Sequence, residues 1–273
     1  MSKSSTDRLG GVTETLLIPL YFRALETQRP DAMVTDLKAV ELVQHLDYDF
    51  SRMGRLSSEQ VTVLVRLQVF DQCVRTFLEA HANGTVVDIG CGLNTRFWRV
   101  DNGAVQWYDL DLPEVIALRG QLLQEASRCH FLAASALDTA WMDTLAARPA
   151  PAFLFVAEGV LPYMSESEVK GLVLALRQRF SGAELIFDAM SPLLLKLHNL
   201  ELAFSPMSVR LRWGLSNPGG LEKWGAGLRL LHQWGYFDRA EPRLGAMRLL
   251  RYIPPLGNGA SILHYRLGEK SAP

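Results

Sequence analysis

The stretch Val86–Val100, VVDIGCGLNTRFWRV, decides the predicted fold of this chain. A short apolar run leads to Gly90 and Gly92, and Asp88 lies two residues before the first glycine. Glycine has no Cβ, so it permits a sharp turn and lets a ligand approach the backbone closely. The pattern predicts a buried strand, a ligand-binding turn and then a helix, although so short a motif also occurs in ordinary loops.

A dinucleotide is the first ligand that such a turn suggests, but the pattern is incomplete. The dinucleotide fingerprint has a third glycine three residues after the second, where it allows close packing of helix on strand. This chain has Thr95 at that position, followed by the bulky Arg96 and Phe97. NAD is therefore disfavoured as the ligand.

The surrounding sequence alternates short apolar runs with helical patterns. This alternation predicts an α/β fold with a doubly wound parallel sheet of the Rossmann-like type. Two later runs, RLLRYIP at 248–254 and SILHYRL at 261–267, also have the character of strands. The five strands predicted first are 85–90, 104–110, 130–135, 152–159 and 183–188.

The first 82 residues show helical spacing instead, so we expect a helical N-terminal cap on a core of residues 83–273. Ser57 and Gln60 have the spacing of a capping box at the start of a third helix. Residues 191–245 are irregular and rich in tryptophan. We interpret them as an insertion that covers the active site.

Acidic residues occur at the ends of four predicted strands: Asp88, Asp111, Glu158 and Asp188. Ligands of open α/β sheets bind outside the carboxyl ends of the strands, so these acids should share one crevice. Asp111 follows Gly90 by 21 residues, the spacing at which an acid binds the ribose hydroxyls. A carboxylate-rich crevice repels phosphate and suits S-adenosylmethionine, which has a ribose and a sulfonium but no phosphate. Its methionine carboxylate then needs a cation, for which Arg66 and Arg23 are the candidates.

Composition excludes several other classes of protein. The 28 Lys and Arg residues balance 29 Asp and Glu residues without a basic run, which argues against nucleic-acid binding. No window approaches the roughly 18 apolar residues of a membrane span. Cys73, Cys91 and Cys129 form no Cys-x-x-Cys motif, so we expect neither a disulfide framework nor a metal site. A cytoplasmic location is the natural expectation.

Three motifs together resemble the leucine carboxyl methyltransferase-like family: VVDIGCGLNTRFWRV, WYDLDLPEVIALR and AEGVLPYM. This family of class I S-adenosylmethionine-dependent enzymes includes small-molecule O-methyltransferases of polyketide synthesis. The segments YFRALETQRPDAMVTDLKAVELVQHLDYDF and RLQVFDQCVRTFL are similar to its N-terminal part. The resemblance implies a Rossmann-like methyltransferase fold and S-adenosylmethionine as the cofactor.

The resemblance also implies roles for individual residues. Arg66 would hold the cofactor carboxylate, Asp111 the ribose and Glu158 the methionine moiety. Backbone contacts would come from the turn Gly90, Cys91 and Gly92 after Asp88, and from Leu112 after Asp111. The family's Leu-Asp-Thr-Arg loop has Asn94 in place of the acid. Its third-strand Asp-Leu is replaced by Ser135 and Ala136, which leaves Ser135, Asp138 or backbone groups to recognise adenine.

The acceptor stays open between a hydroxyl and a carboxylate oxygen of a small molecule. A carboxylate needs no base, whereas a hydroxyl benefits from one. Tyr163 could hydrogen-bond the acceptor, while His198 and His232 are more typical of surface or packed histidines. The alternative functions are a protein C-terminal carboxyl methyltransferase, a non-catalytic module that binds S-adenosylmethionine, and an NAD-dependent reductase.

We predict that the protein binds S-adenosylhomocysteine in preference to NAD, because the phosphate fingerprint is incomplete and the strand ends are acidic. Isothermal calorimetry with both ligands measures this preference. Tight binding of NAD without binding of S-adenosylhomocysteine would refute the assignment.

Overall fold

A seven-stranded mixed sheet forms the centre of the computed structural model, which describes residues 4–5, 12–50, 58–148, 150–202, 210–239, 241–253 and 259–269. Its strands are β1 Thr85–Ile89, β2 Gln106–Asp111, β3 Cys129–Ala133, β4 Phe153–Ala157, β5 Ala183–Met190, β6 Leu228–Gly235 and β7 Ala260–Leu267. The strand order is β3-β2-β1-β4-β5-β7-β6. Strands β1 to β5 are parallel, and β7 runs antiparallel between β5 and β6.

Helices cover both faces of the sheet because successive residues of its strands point to opposite sides. The helices are α1 Val12–Thr27, α2 Leu37–His45, α3 Ser58–Ala80, α4 Arg96–Val100, α5 Pro113–Leu122, α6 Ala140–Ala146, α7 Glu166–Arg179 and α8 Pro192–Leu202. Val86 packs on the side of α3 and α4, and Val87 packs on the side of α6 and α7. Among the described residues, no helix combines the length and the apolarity needed to cross a membrane.

The long helix α3 connects the predicted cap with the sheet. Its second half, from Val69 to Leu78, packs on the sheet, while Val61 and Val65 pack against Leu244 in the C-terminal 3₁₀ segment Pro242–Tyr252. The first half of α3 therefore extends past the carboxyl edge of the sheet. Ser57 of the expected capping box lies outside the described residues.

The five parallel strands lie where the sequence predicts them, but the strand predicted at 248–254 is wrong. Residues of that run belong to the 3₁₀ segment, in which Met247 and Leu250 line a cavity and Leu249 is exposed. The partner of β7 is instead β6, inside the predicted insertion. A register shift between Leu230 and His232 interrupts the alternation of side chains, which removes the period-two signal from β6.

The four acids occupy the carboxyl edge of the parallel strands, as expected. Asp88 is the next-to-last residue of β1 and Asp111 is the last residue of β2. Glu158 directly follows β4, and Asp188 lies two residues before the end of β5. The fold therefore gathers side chains that are separated by 100 residues of sequence.

Candidate active site

A cavity of about 760 Å³ opens at the carboxyl edge, between the sheet, the N-terminal helices and the segments after β5. It brings together most of the site residues that the sequence predicts: Arg23, Arg66, Asp88, Gly90, Cys91, Gly92, Glu158 and Tyr163. The remaining four, Asp111, Leu112, Ser135 and Ala136, lie beside the cavity rather than in its lining, at the ends of β2 and β3. The predicted residues therefore fall into two groups, one in the lining of the cavity and one beside it along the same edge of the sheet.

Both glycines of the turn are required by the backbone and by their neighbours. Gly90 has φ +65° and Gly92 has φ +49°, in the left-handed region that L side chains rarely adopt. A Cβ on Gly90 would lie 2.3 Å from Val160 Cγ2, and one on Gly92 would lie 2.8 Å from Leu16 Cδ2. The turn thus packs against the chain after β4 on one side and against α1 on the other.

Two buried arginines hold three consecutive carbonyl groups of this turn. Arg119 Nη1 donates to the carbonyl oxygens of Gly92 (3.0 Å) and Asn94 (2.7 Å), and Arg23 Nη2 donates to that of Leu93 (2.8 Å). Arg119 comes from α5 and Arg23 from α1. The turn is therefore fixed by elements on both sides of it before any ligand binds.

The guanidinium of Arg23 also bonds a carboxylate. Its Nε donates to Asp36 Oδ2 at 2.8 Å, and Asp36 caps α2 by accepting from the backbone N–H of Ala39 at 3.0 Å. Arg23 lines the cavity but is only 3% exposed. Its predicted part in binding the cofactor carboxylate stays a prediction, while the structure gives it a clear part in shaping the turn.

Arg96, the first residue of α4, is the centre of the charge arrangement behind the cavity. Its side chain is fully buried and bonds three carboxylates from three parts of the fold. Nε donates to Asp71 of α3 at 3.0 Å, Nη1 donates to Asp88 at 2.8 Å, and Nη2 donates to Glu158. One guanidinium thus fixes the relative positions of α3, β1 and the end of β4.

Arg66 reaches the cavity from the first half of α3. Its Nε donates to Glu158 Oε1 at 2.9 Å and its Nη1 donates to Asp188 Oδ2 at 3.2 Å. Asp188 also accepts from the hydroxyl of Tyr236 at 3.1 Å and from the N–H of Gly159 at 2.6 Å. Arg66 therefore lies in the predicted position, already oriented by two carboxylates.

Burial and arginine neighbours move the acids of this cluster in opposite directions. Burial raises the pKa of Asp88 to about 7, against the pull of Arg96. Burial also acts on Glu158, but the guanidinium groups of Arg66 and Arg96 outweigh it and hold the pKa of Glu158 below its usual value. Of these two acids, Asp88 is therefore the more easily protonated near neutral pH.

Asp111 supports the turn from the side of β2. Its Oδ2 accepts from the N–H of Gly92 at 2.7 Å and its Oδ1 accepts from the N–H of Leu112 at 2.8 Å. Each carboxylate oxygen has a further lone pair, so these bonds leave acceptor capacity for a ribose diol. Ser135 lies two residues beyond β3, and the exposed Asp138 accepts from the N–H of Ala140, the first residue of α6, at 3.0 Å.

The outer part of the cavity is lined mainly by apolar side chains. Tyr163, 39% exposed, lies in the 3₁₀ turn after β4, where burial of its hydroxyl region raises its pKa. His198 of α8 also lines the wall, with Nδ1 3.4 Å from Glu201 Oε2. His232 is outside this wall and packs against Trp234 and His264.

Sequence reasoning missed Arg96, Asp71 and Arg119. Asp71 closes the motif RLQVFD that begins at Arg66, and Arg119 lies in the motif WYDLDLPEVIALR, so all three belong to segments already singled out. An arginine close to an acid-rich strand end is the signal that could have found this cluster, because a charge that becomes buried there is tolerated only when it is paired. Among the described residues, no group of His, Cys, Asp or Glu side chains could hold a metal ion.

Comparison with known proteins gives this geometry a family. The family model described as leucine carboxyl methyltransferase matches residues 17–176. The chain is 35% identical, over 269 residues, to the tetracenomycin polyketide synthesis O-methyltransferase TcmP of Streptomyces glaucescens, covering 95% of this chain and 98% of that protein. It is 29% identical over 253 residues to the S-adenosyl-L-methionine-dependent methyltransferase dpfgK of Gibberella zeae, covering 84% and 85%.

A crystal structure shows the same fold. The DUF574 family protein of Streptomyces avermitilis has a TM-score of 0.59 at 16% identity, covering 92% of this chain and 96% of that protein. At this identity the likeness concerns the fold alone.

We predict that Arg96→Met destabilises the unliganded protein by about 3–5 kcal/mol, because three buried carboxylates lose a shared cation. Arg96→Lys should cost less, since it keeps the charge but cannot bond all three acids. Urea unfolding measures both. Arg128→Met, which removes a half-exposed pair with Asp101, is the control and should have a much smaller effect. Equal losses for the two methionine variants would contradict the central place of Arg96.

Proposed function

The chain belongs to the leucine carboxyl methyltransferase family and is an S-adenosylmethionine-dependent O-methyltransferase; we propose that its acceptor is a small, largely apolar molecule. The observation that supports this proposal is the outer part of the cavity. Its lining is predominantly apolar and comes from α1, α8 and the C-terminal 3₁₀ segment: Leu16, Ile18, Pro19, Phe22, Leu194, Leu197, Leu202, Met247 and Leu250. A cavity of about 760 Å³ has the size of small-molecule sites.

The residues at the carboxyl edge fit S-adenosylmethionine. The glycine turn leaves no Cβ in the way, and the acids match a ligand that has two positive groups and no phosphate. We assign the methionine carboxylate to Arg66, the α-ammonium to Glu158 and the ribose diol to Asp111. Backbone groups of Asp88 to Gly92, of Leu112, and of Ser135 and Ala136 complete the assignment. The bound cofactor supplies an electrophilic methyl group.

Catalysis in such a site rests on alignment and on removal of water. The buried arginines hold the turn and Glu158 rigidly, so the donor and acceptor subsites keep a fixed relation. We propose that Tyr163 hydrogen-bonds the acceptor oxygen from the cavity wall. For a carboxylate acceptor no base is needed, whereas for a hydroxyl acceptor His198 is the base that the fold brings to the wall.

The proposal also includes a cytoplasmic location and a small molecule, rather than a nucleic acid or a protein, as the partner. All three cysteines are free and buried, which suits the reducing cytoplasm. The balanced charge supports a small-molecule acceptor rather than a nucleic acid. A protein C-terminus, the acceptor of the alternative enzyme, would have to enter a cavity whose wall includes four acids, Asp88, Glu158, Asp188 and Glu201.

Labelled methyl transfer tests the acceptor class. The full chain is incubated with S-adenosylmethionine labelled in the methyl group and with either a metabolite extract or a protein extract from the same cells. We expect the label in small molecules. Label confined to protein would identify the carboxyl methyltransferase alternative, and binding of the cofactor without any transfer would identify a non-catalytic module.

We predict that Arg66→Lys reduces the increase in melting temperature that S-adenosylhomocysteine produces. Lysine keeps the charge but cannot make the two-pronged contact of a guanidinium with a carboxylate, and a charged hydrogen bond contributes about 1.5–3 kcal/mol. The dissociation constant should therefore increase about tenfold or more. Arg75→Lys is the matched control, because Arg75 lies on the exposed side of the same helix. A full shift in Arg66→Lys would mean that another cation binds the carboxylate, with Arg23 the next candidate.

A further inference from the structure

A continuous network of charged side chains lies behind the cavity, within the part of the chain that the structure describes. Each member bonds at least one group of opposite charge, and none has a side chain more than 15% exposed. Its carboxylates are Asp36, Asp71, Asp88, Glu158 and Asp188, and its guanidinium groups are Arg23, Arg66, Arg96 and Arg99.

This network has one more carboxylate than it has guanidinium groups. Arginine does not lose its proton in proteins, so the imbalance cannot be removed on the basic side. A net buried charge is costly, and it is normally relieved by a proton or by a bound ion. The network therefore needs one further positive charge.

Among the described residues, the groups that face the network from neighbouring elements do not supply this charge. Asp109 of β2 and Arg119 of α5 form an ion pair, so their charges cancel. Burial raises the pKa of the Cys91 thiol and of the Tyr236 hydroxyl well above their usual values, so both stay neutral. Asn94, which donates to Asp88 Oδ2 at 3.2 Å, is neutral as well.

The methyl donor carries the missing charge, and the product does not. S-adenosylmethionine has a sulfonium, an α-ammonium and a carboxylate, with a net charge of one positive unit. Methyl transfer breaks the sulfur–methyl bond and leaves its electron pair on sulfur, so S-adenosylhomocysteine has no net charge. The donor thus neutralises the network, whereas the product leaves the network with one excess negative charge.

We propose that Asp88 is a proton site linked to the methyl donor, which loses its proton when the donor binds and takes one up from solvent when the product or no ligand occupies the cavity. This inference rests on the proposed function, because it requires S-adenosylmethionine to bind beside Asp88. It adds to that function a means of distinguishing the donor from the product by charge.

Asp88 is the member of the network best suited to hold the proton. It is 2% exposed, and its one arginine, Arg96, also serves Asp71 and Glu158. Burial raises the pKa of Asp88 to about 7. Asp71 and Glu158 each bond two guanidinium groups, and these outweigh burial and hold their pKa values below normal.

The other two carboxylates, Asp36 and Asp188, have partners of different kinds. Asp36 bonds both Arg23 and Arg99, and these guanidinium groups hold its pKa low in spite of burial. Asp188 accepts from Arg66, from the Tyr236 hydroxyl and from the N–H of Gly159. Both oxygens of Asp188 thus accept hydrogen bonds, whereas the two bonds to Asp88, from Arg96 and Asn94, both go to its Oδ2, and we therefore place the proton on Asp88.

The proposal fixes how ligand affinity depends on pH. Below pH 7 the free protein holds a proton on Asp88 that a cationic ligand must displace. Affinity for such a ligand should therefore rise about tenfold for each pH unit up to about 7, and then level off. Affinity for an uncharged ligand should stay nearly constant over the same range.

Calorimetry with the full chain tests this at pH 6.0, in phosphate and in bis-Tris, whose ionisation enthalpies differ. One probe is sinefungin, an unreactive analogue in which an ammonium replaces the sulfonium, and the other is S-adenosylhomocysteine. Sinefungin should release about 0.9 proton per site, given a pKa of about 7 for Asp88. S-adenosylhomocysteine should release almost none.

Two variants locate the proton. Asp88→Asn should abolish the release caused by sinefungin, because the network is then neutral without a proton. Glu201→Gln removes an exposed carboxylate of the same cavity that is outside the network, and it should leave the release unchanged. If Asp88→Asn does not fold, the pH dependence of both dissociation constants in the unmodified protein decides the question.

Equal proton release with the two ligands, or undiminished release in a folded Asp88→Asn variant, would overturn the proposal. Failure of both ligands to bind would instead overturn the proposed function. The two ideas are therefore tested separately in one set of measurements.

Discussion

The structure depends on the placement of one buried guanidinium, that of Arg96, among three carboxylates. Its partners come from α3, from β1 and from the end of β4, so this side chain joins the N-terminal helices to both central strands of the parallel sheet. A buried arginine without partners would be very costly, and so would three buried acids without a cation. The mutual requirement fixes α4 directly behind the glycine turn. It also gives Glu158 its orientation towards the cavity.

A second consequence of buried arginines is a preorganised turn. Backbone carbonyls of three successive residues in the loop are bonded by Arg119 and Arg23, one from each side. A glycine-containing turn without such bonds would lose conformational entropy when it orders around a ligand. Because the bonds already exist, that entropy is lost on folding rather than on binding. The N-terminal helices therefore shape the turn and also line the apolar part of the cavity.

The acceptor side is built on a different principle. Helix α8 has no buried residue among those described, and its Leu197 is 44% exposed although it lines the cavity. Its contribution is an apolar wall rather than a charged network. The proposed donor site thus rests on ionic contacts, and the proposed acceptor site rests on apolar surface, which constrains shape but not chemical detail.

The sequence by itself determined the five parallel strands of the sheet, the turn at Gly90 and Gly92, and the set of acids at the strand ends. These features depend on local pattern, because the alternation of strands and helices follows from spacing along the chain. Asp88, Asp111, Glu158 and Asp188 could be placed at one edge for that reason alone. Arg66 and Arg23 were named as candidates for the cofactor carboxylate, and resemblance to a family motif favoured Arg66; this role stays a prediction.

Only the tertiary structure decided which charges pair and how the C-terminal part folds. Arg96 and Asp71 are 25 residues apart, and Arg66 and Asp188 are 122 apart, so no local pattern connects them. The strand β6 carries a register shift that hides its alternation, and residues 248–252 of the strand-like run lie in a 3₁₀ segment instead. The excess of one carboxylate over the guanidinium groups is likewise invisible in a chain whose total charges nearly balance. Pairing inside a low-dielectric core is a property of three-dimensional neighbours, and composition does not encode it.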